Sequence, residues 1–188
     1  MSDRMHLLER IVVVGSSCCG KTTFARALAA ALDAPHVELD ALYWNPAWVA
    51  KPLEEFRSEV ARAAAGDRWV IDGNYRSVRD VLWPRATSII WLNFSFPTVW
   101  GRACARTLRR SISGERLYAG NRETLGRALF NKDSILLWVL QSFARRRRDF
   151  RELMARGHFP HLEWGELRSP QEASAFLRSH AKARWSAA

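Results

Sequence analysis

The sequence predicts an α/β fold, in which helices cover both faces of a parallel sheet. Two observations favour this class. Short apolar, β-branched segments alternate along the chain with segments whose apolar residues recur at helical spacing, and 188 residues suit one domain with a single core. Because strand–helix–strand crossovers are almost always right-handed, the sheet acquires helices on both faces. We therefore expect one domain over residues 1–188.

Composition narrows the class of protein. Hydrophobic residues make up 48% and charged residues 26% of the chain, which excludes a disordered or collagen-like protein. The formal charge of +10 predicts attraction to polyanions, a group that includes both nucleic acids and nucleotides. The longest apolar stretch, Ile135–Leu140, is too short to span a bilayer, and the first ten residues lack a secretory signal. We expect a cytoplasmic protein with no membrane partner.

The first half of the chain supplies most of the predicted strands. Ile11–Val14 is a β-branched run, and Phe24, Leu28 and Leu32 then recur at helical spacing. The next predicted elements are an extended segment His36–Leu39 ending in Asp40, a helix from Pro52 to Gly66, a strand Trp69–Ile71 ending in Asp72, a helical turn Ser77–Trp83, and a strand Ser88–Leu92.

The second half is mostly helical. After Pro97 comes an Arg-rich helical region, interrupted around Ser113, Gly114 and Gly120, and a second helix runs from about Ser134 to Arg156. A last strand is predicted near His161–Trp164. The closing helix is predicted to have Ser169 as its N-cap, Pro170 at the first helical position and Glu172 at the third. The core therefore covers about residues 8–100 and 157–180, with a helical region over about residues 101–156.

The segment Gly15–Thr22 carries the strongest chemical signal. Its letters GSSCCGKT match the pattern GxxxxGK followed by Ser or Thr, after a strand and at the opening of a helix. Such a loop points backbone N–H groups at phosphates, and the helix N-terminus adds its positive end. Lys21 is then expected to reach the β- and γ-phosphates and Thr22 to coordinate Mg²⁺. The expected nucleotide-binding residues are Gly15, Ser16, Ser17, Cys18, Cys19, Gly20, Lys21, Thr22 and Thr23, with ATP and Mg²⁺ as cofactors.

Two acidic residues at predicted strand ends compete for the Mg²⁺ role. Asp72 follows an apolar strand and precedes Gly73, as expected of a carboxylate that holds Mg²⁺ or its waters beside the phosphates. Asp40 suits a general base that accepts a proton from an acceptor hydroxyl. Either residue could instead form a turn or cap a helix.

Arginines form a second group of candidate catalytic residues. Arg102, Arg106, Arg109 and Arg110 share one helix face, which can clamp phosphates or simply be a solvated basic face. We expect Arg102, Arg106 and Arg110 to contribute to catalysis. The four successive arginines Arg145–Arg148 spread around a helix, so solvated surface or polyanion steering is the favoured interpretation for them.

Polar and aromatic residues follow both carboxylates and predict an acceptor pocket, because parallel sheets bind ligands outside the carboxyl ends of their strands. Trp44 and the nearby Trp48 could equally be core residues. The expected substrate-binding residues are Asp40, Tyr43, Trp44, Asn74, Tyr75 and Arg76.

The three cysteines predict a reduced compartment. Cys18 and Cys19 are adjacent and Cys104 is remote, which gives neither a disulfide framework nor a metal-binding spacing. In the loop, Cys18 and Cys19 are either oxidisable thiols beside a helix N-terminus or small residues tolerated because the backbone binds the phosphates. We favour the second interpretation.

With these motifs the sequence resembles the adenylate-kinase-like P-loop family labelled DNA topology modulation proteins, over about Arg10 to Leu177. The matching segments are GSSCCGKTT, Glu38 to Trp44, Trp69 to Tyr75, Arg102 with Arg106, and Gly120 to Glu123. The resemblance implies a three-layer P-loop NTPase fold, with a five-stranded parallel sheet flanked by helices, a substrate segment after the second strand and a helical lid after the fourth. It also implies that Arg102 and Arg106 contact ATP at the base of the lid.

The resulting hypothesis is an ATP- and Mg²⁺-dependent phosphotransferase acting on a small-molecule or nucleotide acceptor. Segment Asp72-Gly73-Asn74-Tyr75-Arg76 stands where adenylate kinases have Asp-Gly-x-Pro-Arg, so AMP is not favoured as acceptor. Two alternatives stay open: a nucleic-acid-associated ATPase and a nucleotide-binding regulator without catalysis. Nucleic acid is a possible but less favoured partner, since no reading module is recognisable.

Overall fold

The computed structural model describes residues 8–113, 119 and 135–185, and its centre is a five-stranded sheet. The strands pair in the order β2-β3-β1-β4-β5, and every pairing is parallel. The strands are β1 (Arg10–Gly15), β2 (His36–Glu38), β3 (Trp69–Asp72), β4 (Ser88–Leu92) and β5 (Glu163–Leu167). The predicted α/β class and its five-stranded parallel sheet are confirmed.

Helices cover both faces of this sheet. In chain order they are α1 (Lys21–Leu32), α2 (Leu39–Tyr43), α3 (Leu53–Ala63), α4 (Arg79–Leu82), α5 (Phe96–Ser113), α6 (Ile135–Arg156) and α7 (Pro170–Trp185), with short 3₁₀ turns at Pro46–Trp48 and Arg76–Val78. Among the described residues, no helix combines the length and apolar character needed to cross a membrane.

The core divides into one apolar cluster on each face of the sheet. Side chains alternate between the faces along a strand, so Ile11 and Val13 join the cluster beneath α1, α5 and α7, and Val12 and Val14 join the cluster beneath α3 and α4. Burial on both faces is why residues 11–14 of β1 are all apolar. Helix α6 contributes Phe150 to the second cluster and Val139 to the first.

Two predicted boundaries at strands are wrong. The second strand ends at Glu38, and Asp40 lies in the first turn of α2 rather than at a strand end. The last strand is Glu163–Leu167 rather than His161–Trp164, because a turn closed by the Leu162 N–H and the Phe159 carbonyl precedes it. Its pairing with β4 carries it through Gly165, a weak strand former that hid it in the sequence.

The predicted start of the closing helix is confirmed. Helix α7 begins at Pro170, and the Ser169 hydroxyl accepts a hydrogen bond from the Glu172 N–H at 3.1 Å. The two helices of the predicted lid region are α5 and α6. The stretch between them, including Gly114, Gly120 and the segment through Glu123 on which the resemblance drew, lies outside the described residues apart from Ala119.

Replacing Phe150 with alanine tests how α6 is attached to the sheet. The ring is 2% exposed and packs 5.7 Å from the ring of Trp91 on β4. We expect Phe150→Ala to lower the free energy of unfolding by about 3–5 kcal/mol, measured by urea denaturation. Arg148→Ala, an exposed change on the same helix, is the control and is expected to stay within about 0.5 kcal/mol of the unmodified chain. Equal stability of the two variants would contradict this packing.

Candidate active site

The loop between β1 and α1 has the backbone that its sequence requires. Gly20 is the N-cap of α1 and has φ of 97°, in the left-handed region that favours glycine. Cys18 is also left-handed, with φ of 63°. A Cβ on Gly20 would come 3.0 Å from a terminal nitrogen of Arg102. The loop therefore depends on glycine at this position and packs against the start of α5.

A buried carboxylate joins this loop to two strands. The Thr22 hydroxyl donates to Asp72 Oδ2 at 2.7 Å, and His36 Nε2 lies 3.1 Å from Asp72 Oδ1. Asp72 ends β3, which lies between β1 and β2, and is only 4% exposed. The sheet order therefore brings together Thr22 and Asp72, the two residues predicted to hold Mg²⁺. His36 was not foreseen as a site residue, and no sequence signal singled it out.

The two residues after Asp72 fit closely against neighbouring segments. The Asn74 side chain accepts from the Gly15 N–H at 3.2 Å and donates back to the Gly15 carbonyl at 2.5 Å, so it fixes the end of β1 where the loop begins. Gly73 has φ of 149°, and a Cβ there would come 2.7 Å from the Cβ of Leu39. Glycine at this position lets the start of α2 approach the end of β3.

Lys21 and Arg102 both contact backbone carbonyls of the loop. Lys21 Nζ donates to the Ser16 carbonyl at 3.0 Å, and Arg102 donates to the Cys19 carbonyl at 2.5 Å. The Arg102 guanidinium also lies 5.2 Å from the ring centroid of Phe94. Arg106 and Arg110 follow on α5 and are half-buried, while Arg109 is exposed. The catalytic roles of Arg106 and Arg110 stay predictions.

Asp40 reaches the site from α2, although it does not end a strand. The Tyr75 hydroxyl donates to Asp40 Oδ1 at 2.6 Å. The Tyr75 ring lies 4.6 Å from Tyr43 and 5.1 Å from Phe56, measured between centroids, and Phe56 is fully buried in α3. An aromatic wall of Tyr43, Tyr75 and the buried Phe56 thus lies behind the predicted general base and its hydroxyl partner.

The other predicted acceptor residues lie at the rim of this wall. Trp44 is half-buried and meets Trp48 edge-on, with ring centroids 5.6 Å apart, so neither residue belongs to the buried core. Arg76 begins a 3₁₀ turn and is exposed. Their contact with an acceptor stays a prediction.

Two arginines near the site were not predicted. Arg146 on α6 is half-buried and interacts electrostatically with Asp40, Tyr75 and Cys19. The sequence carries a signal that could have found it: Arg146 lies three residues after Phe143 and four before Phe150, on the apolar face of the helix. Arg79 on α4 is half-buried as well, and lines a small cavity with Gly73 and Asn74.

The cysteines of the loop differ in burial. Cys19 is 0% exposed, and this burial raises the pKa of its thiol, although the charge of Lys21 partly opposes the shift. A buried thiol with a raised pKa forms little thiolate, which is the reactive species. This environment supports the interpretation of Cys19 as a small loop residue rather than a redox switch.

The fold is similar to that of solved small-molecule kinases. A gluconokinase from Sinorhizobium meliloti matches with a TM-score of 0.51 and 20% identity, over 95% of this chain and 96% of its own. A shikimate kinase from Bacteroides thetaiotaomicron matches with a TM-score of 0.56 and 14% identity, over 93% and 97%. A shikimate kinase from Acinetobacter baumannii, solved in complex with shikimate, matches with a TM-score of 0.56 and 15% identity, over 95% and 94%.

These likenesses show that the chain shares the fold of solved P-loop kinases. No protein-family model matches the chain, and no curated protein matches its sequence. The narrower resemblance to DNA topology modulation proteins stays a prediction.

The buried state of Cys19 can be tested by alkylation. We expect iodoacetamide at about pH 8 to modify Cys19 much more slowly in the folded protein than in urea-unfolded protein, because the raised pKa leaves less thiolate and burial blocks access. Peptide mass spectrometry measures the rate at this residue. Equal rates in the two states would contradict the interpretation.

The Asn74 contacts can be tested by truncation. We expect Asn74→Ala to lower the free energy of unfolding by about 1–3 kcal/mol and to weaken ATP binding, because the backbone groups of Gly15 lose their partners. Urea denaturation and calorimetric titration measure the two effects. Ser77→Ala, an exposed change in the following turn, is the control. If both variants bind ATP as tightly as the unmodified chain, Asn74 does not shape the loop.

Proposed function

We propose that the chain is a Mg²⁺-dependent phosphotransferase that transfers the γ-phosphate of ATP to a small-molecule or nucleotide acceptor. The single observation that carries the proposal is the 2.7 Å contact between the Thr22 hydroxyl and the Asp72 carboxylate at the mouth of the P-loop. This contact of a hydroxyl with a carboxylate, beside the loop that would cradle the phosphates, supports a metal-holding role for the two residues. The P-loop kinase fold is consistent with this assignment.

The residues present fit the cofactors that the proposal requires. Mg²⁺ prefers hard oxygen ligands and usually takes only one or two protein groups, the rest being water and phosphate. A hydroxyl and a buried carboxylate in contact meet that requirement. When bound beside ATP, Mg²⁺ neutralises charge on the phosphate oxygens.

Lys21 and Arg102 supply the positive charge on the protein side. Lys21 Nζ is held by a loop carbonyl at 3.0 Å, so it can exchange that carbonyl for phosphate oxygens without a large movement. Arg102 is anchored to the same loop and to the ring of Phe94. Phosphoryl transfer depends mainly on such positioning and charge neutralisation.

Asp40 is the proposed general base. Asp40 is exposed, and the Tyr75 hydroxyl donates a hydrogen bond to its carboxylate at 2.6 Å. A carboxylate held this way can accept the proton of an acceptor hydroxyl as that oxygen attacks the γ-phosphate. The aromatic wall behind Tyr75 and Tyr43 fixes the orientation of the pair.

The first test measures ADP formation from Mg-ATP with nucleoside monophosphates, nucleosides, hydroxy acids and duplex DNA as separate additions. We expect one small acceptor to stimulate ADP formation and Lys21→Ala to reduce that stimulated rate by at least about 10²–10³-fold, because a phosphate clamp is lost. Arg26→Ala, an exposed change on the same helix, is the control. Stimulation by DNA alone would favour a nucleic-acid-associated ATPase, and nucleotide binding without turnover would favour a regulator.

The role of Asp40 is tested separately from ATP binding. We expect Asp40→Asn to reduce kcat with the stimulating acceptor by at least about 100-fold while the KM for ATP stays within about twofold, because the general base is lost and the P-loop is untouched. Tyr75→Phe, which keeps the ring but removes the hydroxyl, is expected to have a smaller effect. An unchanged kcat in Asp40→Asn would exclude this residue as the base.

A further inference from the structure

His36 contacts the proposed metal-holding pair but has no role in the proposed mechanism. Its Nε2 lies 3.1 Å from Asp72 Oδ1, while the Thr22 hydroxyl donates to the other carboxylate oxygen, Oδ2, at 2.7 Å. An ionised carboxylate only accepts hydrogen bonds, so this contact requires a proton on Nε2 of His36. The two oxygens of Asp72 therefore have different partners, a ring N–H on one side and the predicted metal-holding hydroxyl on the other.

Sheet register explains how His36 reaches Asp72 from the neighbouring strand. His36 on β2 pairs with Val70 on β3, and Asp72 lies two residues farther along β3. Side chains alternate along a strand, so Val70 and Asp72 lie on the same face of β3, which is the face that α1 covers. The contact is thus a diagonal one between neighbouring strands, which a side chain as long as histidine can reach.

The contact between His36 and Asp72 is shielded from water. The His36 side chain is 13% exposed, and Asp72 is almost fully buried. In such surroundings a hydrogen bond is stronger than in water, and a carboxylate oxygen that loses its donor is costly. Removal of the ring N–H would therefore favour rotation of the carboxylate toward another donor, which displaces Oδ2 from Thr22.

The orientation of a carboxylate matters when one of its oxygens serves a metal ion. Asp72 Oδ2 and the Thr22 oxygen both keep lone pairs beyond their mutual hydrogen bond. Mg²⁺ requires near-ideal octahedral geometry, so it tolerates little displacement of its ligands. Hydrogen bonds from groups outside the metal's own ligands orient those ligands, and removal of such a group typically lowers metal affinity by about 10–100-fold.

We propose that His36 is a positioning residue for the metal site. Its Nε2–H holds Asp72 Oδ1, so that Oδ2 stays beside Thr22 and the P-loop, where the proposed function uses it for Mg²⁺. This inference rests on the proposed function and adds a residue of β2 to its metal site. If the ring only satisfied a buried carboxylate, its removal would lower stability and leave metal affinity unchanged.

Three variants of His36 differ in the donor that they offer to Asp72. His36→Gln keeps a side-chain N–H about as far from the backbone as Nε2, whereas His36→Asn holds the same amide one bond closer to the backbone, out of reach of Oδ1. His36→Leu has no donor. His158→Leu removes an exposed histidine after α6 and is the control. Urea denaturation measures the stability of each variant.

Mn²⁺ is the probe for metal affinity, because it takes the same oxygen ligands as Mg²⁺. Electron paramagnetic resonance measures free Mn²⁺ during a titration of protein in excess over a non-hydrolysable ATP analogue, so that all of the nucleotide is bound. We expect His36→Leu and His36→Asn to weaken Mn²⁺ binding by about tenfold or more, and His36→Gln and His158→Leu to stay within about threefold of the unmodified chain. Metal-free affinity for the analogue should stay within about twofold in every variant, because the P-loop and Lys21 are unchanged.

Equal Mn²⁺ affinity in His36→Leu and the unmodified chain would overturn the inference, and a loss of stability alone would assign His36 to the fold. Equal losses in His36→Gln and His36→Asn would overturn it too, since a positioning role requires rescue by the donor of matching reach. This comparison carries the test if His36→Leu does not fold. Failure of the proposed function gives a different result: Mn²⁺ binding follows the expected pattern, but no acceptor stimulates ADP formation from Mg-ATP.

Discussion

The rest of the candidate site depends on the contacts that the buried Asp72 carboxylate makes. It is almost fully buried, and a buried carboxylate is tolerated only when hydrogen bonds and counter-charges satisfy its oxygens. One oxygen accepts from Thr22 at the start of α1, and the other lies 3.1 Å from His36 on β2. A single side chain therefore ties the P-loop helix to two adjacent strands. The same constraint leaves a hydroxyl and a carboxylate side by side, and the proposed function uses this pair to hold Mg²⁺.

Sheet topology explains why the other parts of the site converge on this point. Strand β3 lies between β1 and β2, so the residues after Asp72 face the P-loop on one side and α2 on the other. Asn74 bonds to Gly15 on the first side, and Gly73 admits Leu39 on the second, with Asp40 next to it. Helix α6 packs on both apolar clusters, and its Arg146 interacts electrostatically with Asp40. Each of these residues is therefore positioned by contacts with other parts of the fold.

The sequence could predict the parts of the fold that depend on local pattern. Apolar β-branched runs and helical spacing predicted the parallel sheet, and the loop motif in its strand–helix context predicted the roles of Lys21 and Thr22. The position of Asp72 at the end of an apolar strand predicted that it lies beside the loop, and it contacts Thr22. The predictions that were wrong concern residues whose conformation depends on tertiary contacts. Residue Gly165 is a poor strand former that pairs with β4 in a strand. Asp40 follows Leu39, which is the first residue of α2 and lies close to Gly73. The sequence did not single out Arg146, because in a run of four arginines the pattern does not show which one lies on the buried side of the helix.

The most direct test of the site is the dependence of ATP affinity on Mg²⁺, measured by calorimetric titration with and without the metal. The unmodified chain should bind ATP more tightly with Mg²⁺, and Asp72→Asn, which keeps the shape of the side chain, should lose most of that gain, at least about tenfold in affinity. The same metal dependence in Asp72→Asn would contradict the assignment of Asp72 and Thr22 as the metal-holding pair.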